Sequence, residues 1–444
     1  MMRSMFSGVS GLRAHQTRMD VIGNNVANVN TVGFKSGRVT FQEVFSETLK
    51  GATAPDAATG RGGSNPMQVG LGIGIGAVDT ITTRGSVQRT DNPTDLSIEG
   101  EGFFIVKGGE GDTYRFTRAG NFGIDKLGNL VTGGGLNVYG WQQYTRNPDG
   151  SYTFDTEQPI EPVNLYSDAY NKNKRMIAAK ATTSAVFAGN LDASKKVITA
   201  PDSSNVEFTI PVTVYDSIGN DYKININFWK TDVVEGSSST WTWQIGSGSA
   251  SGLGLSVASG TITFDNNGQI MISSGGSGAS FNVTFTPVGS GASAGPFTVN
   301  LDFSKLTMYA ADSSAKPTNV DGYPTGNLVT FNIGSDGMIT GIYSNGQQQP
   351  LGMIALASFE NPAGLQKVGD NLYIPTTNSG DFKKGLKAGS EGVGTLNPGT
   401  LEMSNVDLSK EFTDMIITQR GFQANSRIIT TSDEMLQELV NLKR

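Results

Sequence analysis

A mainly β fold with an α-helix at each end is what this sequence predicts, and three observations predict it. Leu408, Met415, Phe422, Ile429 and Leu436 recur every seven residues near the C-terminus, as Met5, Leu12, Met19 and Val26 do near the N-terminus. A seven-residue apolar repeat keeps one stripe of a helix facing one partner. Between the two ends the chain consists of short alternating stretches separated by turn residues, which is strand texture. Glycine supplies 58 of 444 residues, roughly twice the usual share. It lacks the three-residue period of collagen, so it marks turns.

The N-terminal helix is expected over residues 4–29, with Ser4 as its cap. Gly23-Asn24-Asn25 should weaken its last third, and residues 28–33 form a turn in which Gly33 takes positive φ. Val9 and Ile22 flank its apolar row. In the C-terminal helix Phe412 and Val440 fall four places after members of the repeat, at the second seam position of a heptad. Gln419, Ser426 and Asp433 make the rest of that second row polar. Two ends with unsatisfied stripes predict a subunit that bundles with itself and with its copies. Residues 40–50, with Phe41, Val44, Phe45 and Leu49, read as an amphipathic turn or two, and residues 51–66 as an extended arm.

Strand texture begins at Met67. Residues 70–78 alternate glycine with Leu71, Ile73 and Ile75, so one face of the strand is apolar. The stretch lacks the Lys-Ser/Thr ending of a phosphate-binding loop and no helix opens after it, which turns the reading away from nucleotides. One turn pattern recurs, an Asp followed three places later by Gly, in Phe122-Gly-Ile-Asp-Lys-Leu-Gly-Asn-Leu130, Ile262-Thr-Phe-Asp-Asn-Asn-Gly-Gln-Ile270 and Val214-Tyr-Asp-Ser-Ile-Gly219. An acceptor side chain and a positive φ at those places suit a hairpin turn. Residues 206–229, 241–245, 256–272 and 281–302 alternate like strands of an all-β domain, joined by Ser/Gly-rich loops at 246–254 and 273–280. Strands resume at 329–343 and 351–359, and residues 380–399 form a second extended segment.

Catalytic chemistry is hard to assemble from this composition. There are 33 Lys plus Arg against 40 Asp plus Glu, a net charge of −7, which argues against nucleic acid or an anionic membrane as partner. With no cysteine, no thiolate, disulfide or cysteine metal site is available. His15 is the only histidine, and it reads as a polar residue beside a packed seam. Trp141, Trp229, Trp241 and Trp243 stand at alternating strand positions that point to cores rather than sugar-stacking platforms. No run of about 18 apolar residues occurs and the first residues carry no apolar signal core. No enzyme, cofactor or metal is expected.

The motifs resemble those of a known family. Val21-Ile-Gly-Asn-Asn-Val-Ala-Asn-Val-Asn-Thr-Val-Gly-Phe-Lys35 is similar to the N-terminal signature of bacterial flagellar rod and hook subunits. Ser404-Asn-Val-Asp-Leu-Ser-Lys-Glu-Phe412, Gln419-Arg-Gly-Phe-Gln-Ala-Asn-Ser-Arg427 and Asp433-Glu-Met-Leu-Gln437 resemble that family's C-terminal helix. Gly100-Glu-Gly-Phe-Phe-Ile-Val106, Thr117-Arg-Ala-Gly-Asn-Phe122, Gly128-Asn-Leu-Val131 and Gly140-Trp141 resemble its shared strand domain. A middle of some 150 residues matches loosely and favours the hook-type members over the shorter rod subunits.

The resemblance implies two nested β-rich domains and a helical coiled-coil domain, formed on assembly from both ends. Residues 1–66 and 398–444 would form the inner tube domain, 67–165 and 320–397 the first β-domain, and 166–319 the inserted outer one. It implies a homopolymeric, curved and flexible extracellular tube that carries torque. The seams would be Met5, Val9, Leu12, Met19, Ile22, Val26, Leu408, Phe412, Met415, Phe422, Ile429, Leu436 and Val440. Rod proteins, hook–filament junction proteins, a hook cap and the export apparatus are the implied partners, with export free of signal cleavage. The arm at 47–66 is an expected brace between subunits.

Overall fold

The C-terminal helix, α2 (Leu408–Asn441), starts where Asp407 accepts hydrogen bonds from the backbone N–H groups of Ser409 and Lys410. The computed structural model describes residues 2–55, 60, 62–109, 112–148, 150–202, 204–246, 253–255, 259–271, 279–288 and 294–442. The N-terminal helix, α1, spans Met2–Ala27, so Ser4 lies within it rather than capping it. It continues through Gly23-Asn24-Asn25 because Asn25 is anchored from outside. The Asn25 Nδ2 donates to the Gly37 carbonyl at 2.8 Å, and its Oδ1 accepts from the Gly37 N–H at 2.9 Å.

Residues 40–50 are not helical. They belong to β1 (Gly37–Glu43) and β2 (Ser46–Lys50), which pair antiparallel with β4 (Ile73–Thr80) and β3 (Met67–Gly70) respectively. Val39 opposes Val78 and Phe41 opposes Ile75, with a bulge between Thr40 and Phe41. The β-branched and aromatic residues here find cross-strand partners, and long-range pairing overrides a local helical pattern. The arm continues this ribbon as far as the Thr53–Ser64 bridge. Residues 56–59 and 61 of the expected arm, and much of the loops at 246–254 and 273–280, lie outside the described residues.

The chain divides into two compact units, residues 1–172 with 331–340 and 350–444, and residues 173–330 with 341–349. In the first, Phe103–Lys107 pairs with Arg115–Thr117 and with Asn137–Trp141, while Gly140 and Trp141 pair with Ile354 and Met353. Phe103, Phe116, Trp141, Phe359 and Tyr373 form much of the core beneath these strands, and Phe116 meets Phe359 edge-on at 4.8 Å. Two motif glycines are set by close approach. A Cβ at Gly120 would lie 1.8 Å from the Leu96 carbonyl oxygen, and one at Gly140 2.0 Å from that of Met353.

The second unit contains a five-stranded and a four-stranded sheet. The five-stranded sheet holds Phe297–Tyr309 parallel to Ser184–Asp192, and the other runs Phe208–Tyr215, Asp221–Val234, Ser238–Ile245, Ser259–Asp265 in antiparallel order. Ile210, Ile226, Phe228, Trp241, Trp243 and Phe303 pack in one core, so period-two alternation points these side chains inward. Trp141, Trp229, Trp241 and Trp243 are all buried. The recurrent turns are hairpin turns. Gly128, Gly219 and Gly268 have φ of 95°, 101° and 74°, and the Oδ1 of Asp125, Asp216 and Asp265 accepts the N–H four residues on, at 2.7, 3.0 and 2.7 Å.

Candidate assembly interface

The terminal helices α1 and α2 pack antiparallel. Contact residues on α1 are Gly8, Gly11, His15, Arg18 and Asn25, in steps of three, four, three and seven, which is heptad spacing, and the buried Ile22 falls in the same row. Arg18 pairs with Asp414 at 2.8 Å, and Asn25 Nδ2 donates to the Glu411 carboxylate at 3.2 Å. A Cβ on Gly11 would fall 2.8 Å from the Asn425 side chain, and one on Gly421 would fall 2.7 Å from the His15 ring. Asn425 thus fills the notch left by Gly11, and His15 the notch left by Gly421. His15 and Arg18 also cover the Phe41 ring of β1, with the His15 ring edge-on at 5.6 Å.

On α2 the heptad row Glu411, Thr418, Asn425 and Ser432 accompanies Met415, Ile429 and Leu436 on the less exposed side. Thr418 and Ser432 are buried, and their hydroxyls donate to the Asp414 and Ile428 carbonyls within the helix. The expected second row, four residues after the apolar repeat, points elsewhere: Phe412 is 50 % and Val440 66 % exposed. Leu408, Phe422 and Val9 are exposed as well, whereas Met5, Leu12, Met19 and Val26 are half-buried and Ile22 is buried. The contact between the helices therefore joins small and polar side chains to the apolar Ile429, which would lie 3.4 Å from a Cβ at Gly8. Glycines let two backbones approach where no large residue fits, and a search for apolar periodicity passes over such a row.

Below the helices, two of the sequence motifs meet at one carboxylate. Glu402 accepts from Lys35 Nζ at 2.5 Å, from Arg118 Nη1 at 3.3 Å and from the Gly85 N–H at 3.1 Å, and all three side chains are buried. Lys35 also donates to the Thr83 carbonyl, and Arg118 to that of Gly100. Burial lowers the Lys35 and Arg118 pKa values, against the opposing pull of Glu402. Gly33, at φ 67°, donates its N–H to the Glu402 carbonyl at 2.7 Å, and Asn405 Oδ1 accepts from the Ser36 N–H at 2.8 Å. Sequence reasoning quoted Lys35 and Arg118 as motif residues without a role. Their only signal was position within a motif, because a cluster gathered from residues 35, 85, 118 and 402 has no period to detect.

A flagellar hook protein of Borreliella burgdorferi is 41 % identical to this chain over the full length of both. The chain belongs to the flagellar hook protein family. A hook protein of Treponema pallidum is 40 % identical over all of both chains, and the basal-body rod protein FlgG of Bacillus subtilis is 31 % identical over all of both. Family profiles match in four places. They are described as flagella basal body rod protein (residues 5–35), flagellar hook protein FlgE/F/G D1 domain (97–140), flagellar basal body protein FlaE D2 domain (190–323) and flagellar basal body rod FlgEFG protein C-terminal (397–442). The two terminal profile matches cover most of α1 and all of α2, and they include Lys35 and Glu402 of the junction. Among the described residues no helix is long and apolar enough to cross a membrane, and no group of three or more His, Asp or Glu residues is placed to hold a metal.

Proposed function

We propose that the chain is the structural subunit of a bacterial flagellar hook, polymerising into a curved tube that transmits torque from rod to filament. One observation carries the reading. The α1–α2 pair leaves large apolar side chains in water, among them Phe6, Phe412, Ile416, Ile417 and Phe422. Large apolar side chains left exposed along both helices suit an interface, and in a homopolymer its partner is the same helix pair on a neighbouring copy. In this reading residues 1–66 and 398–444 form the inner tube, and Phe412, Phe422 and Val440 serve the seam between subunits rather than the seam within one. The arm around β2 and β3 acts as a brace, since Phe45, Leu49, Met67 and Val69 are exposed and a two-stranded ribbon is marginal alone. Rod proteins, junction proteins, the hook cap and the export apparatus are its further partners. Export occurs without signal cleavage.

The 31 % identity to a rod protein favours one alternative, a distal rod subunit. Electron microscopy of cells lacking the gene, with and without its restoration, separates the two. Basal bodies that end at a completed rod and regain a curved hook are expected. Missing rods would establish the alternative, and intact flagella would overturn both.

A further inference from the structure

The buried junction holds more positive charge than its partners neutralise. Lys35 and Arg118 share the single buried carboxylate of Glu402. Arg118 is only 5 % exposed, and its Nε finds no hydrogen-bond partner among the described residues. Lys35, Arg118 and Tyr373 line a cavity of about 40 Å³ together with Phe103, Pro362, Leu365 and the threonines Thr80 and Thr82. Tyr373 is buried in the same wall, and burial pushes its pKa up to about 12, so its phenol stays a neutral O–H. The other charges nearby do not settle the balance. Arg84 is paired with Glu99 at 3.1 Å, and Lys367 donates to the Lys35 carbonyl and lies over the Phe34 ring. Glu101 also lines the cavity and its charge favours the Arg118 cation, but it is exposed, so solvent weakens that pull relative to the buried Glu402.

We propose that this cavity is a binding site for one monatomic anion, a halide of the size of chloride or bromide, held between Arg118, Lys35 and Tyr373. A water molecule would fit the volume but would leave the excess charge of two cations over one carboxylate, and an uncompensated buried charge is costly. An anion offsets both the excess charge and the missing Arg118 Nε partner. The volume of about 40 Å³ suits a halide better than the much larger gluconate. Because Lys35 and Glu402 lie in the segments that lead into α1 and α2, occupancy would stabilise the point where both termini join the β-strands.

The test is the unfolding temperature of the full-length chain titrated with sodium chloride, bromide or gluconate at constant ionic strength, for the natural protein and for Tyr373→Phe. A saturable rise of a few degrees with the two halides, absent with gluconate and weakened in the variant, is expected. Equal responses to all three anions, no response, or an undiminished halide response in Tyr373→Phe would overturn the site. Bromide anomalous scattering from crystals of the same chain reads it directly. A bromine peak in the cavity is expected, and a water molecule or the Glu101 carboxylate in its place overturns the proposal.

Discussion

Gly421 on α2 lies against the ring of His15 on α1, so closely that a Cβ at position 421 would fall 2.7 Å from both Cε1 and Nε2. Elsewhere in a helix, alanine outperforms glycine by about 1 kcal/mol. Here the clash reverses the sign. Gly421→Ala should destabilise the helix pair by about 1–3 kcal/mol, the usual range for overpacking. His15→Ala removes the ring, so the double variant should recover the helix propensity of alanine and exceed Gly421→Ala in stability. Thermal melts of assembled tubes, followed by helical circular dichroism, check the pair; additive losses would show that the two residues do not share one space.

His15 also gives the helix pair a pH dependence. Burial, and then the charge of Arg18, lowers its pKa below 6.5 in the folded state. The unfolded chain therefore takes up the proton first as the pH falls through 6.5, and stability drops until the folded-state value is passed. Helix-pair stability should be greater at pH 7.5 than at pH 5. Melts of His15→Gln across that range should be flatter.

At the junction, removing the carboxylate should cost far more than removing one cation. Glu402→Gln leaves Lys35 and Arg118 facing each other in a buried site, and breaking a buried pair in that way typically costs about 3–5 kcal/mol. Lys35→Met leaves Arg118 and Glu402 matched and should cost less. Denaturant unfolding of both variants gives the order, and a milder effect for Glu402→Gln would contradict the buried-charge account.

In the second unit, Asp321 accepts from the N–H groups of Thr183 and Ser184, at 2.8 and 2.9 Å, and from Lys180 Nζ at 3.0 Å. Burial alone would raise its pKa, but these bonds and that of the Thr183 hydroxyl outweigh it and lower it from 3.8 to about 2. The stabilisation is complete above the unfolded value and is lost as the pH falls from 3.8 towards 2. Trp229, Trp241 and Trp243 are buried in this unit and report its unfolding by fluorescence. Asp321→Asn should lower stability at neutral pH and flatten the acid limb.

The regular parts of this fold were legible because they repeat. Period two marked 206–229 and 241–245 as strands, in which Ile210, Val212, Val214, Trp241 and Trp243 share one core, and the spacing of Asp and Gly located three hairpin turns. Period seven located both helices, and the motifs that hold Lys35 and Arg118, with those of the C-terminal helix, pointed to the family. What period seven did not supply was the small and polar row that lies beside Met415, Ile429 and Leu436 on the less exposed side of α2. Large apolar residues dominate such a count, yet the contact row runs through Gly8, Gly11, Thr418 and Asn425, whose worth lies in being small or internally bonded. Residues 40–50 misled for a related reason: Phe41, Val44, Phe45 and Leu49 suit either period, and only pairing of Phe41 with the distant Ile75 decides for a strand.

That division of labour on α2 separates two classes of variant. Thr418 and Asn425 serve the contact within a chain, whereas Phe412 and Phe422 are 50 % and 42 % exposed and touch water in the isolated subunit. Aspartate at both phenylalanines leaves the intramolecular seam intact but puts two charges into any apolar contact between copies, where burial without a partner is prohibitive. The double variant Phe412→Asp with Phe422→Asp should abolish tube formation in electron micrographs, while tryptophan fluorescence and the melting of the second unit stay unchanged. Tubes of normal length from this variant would mean that the exposed face of α2 is not where subunits meet.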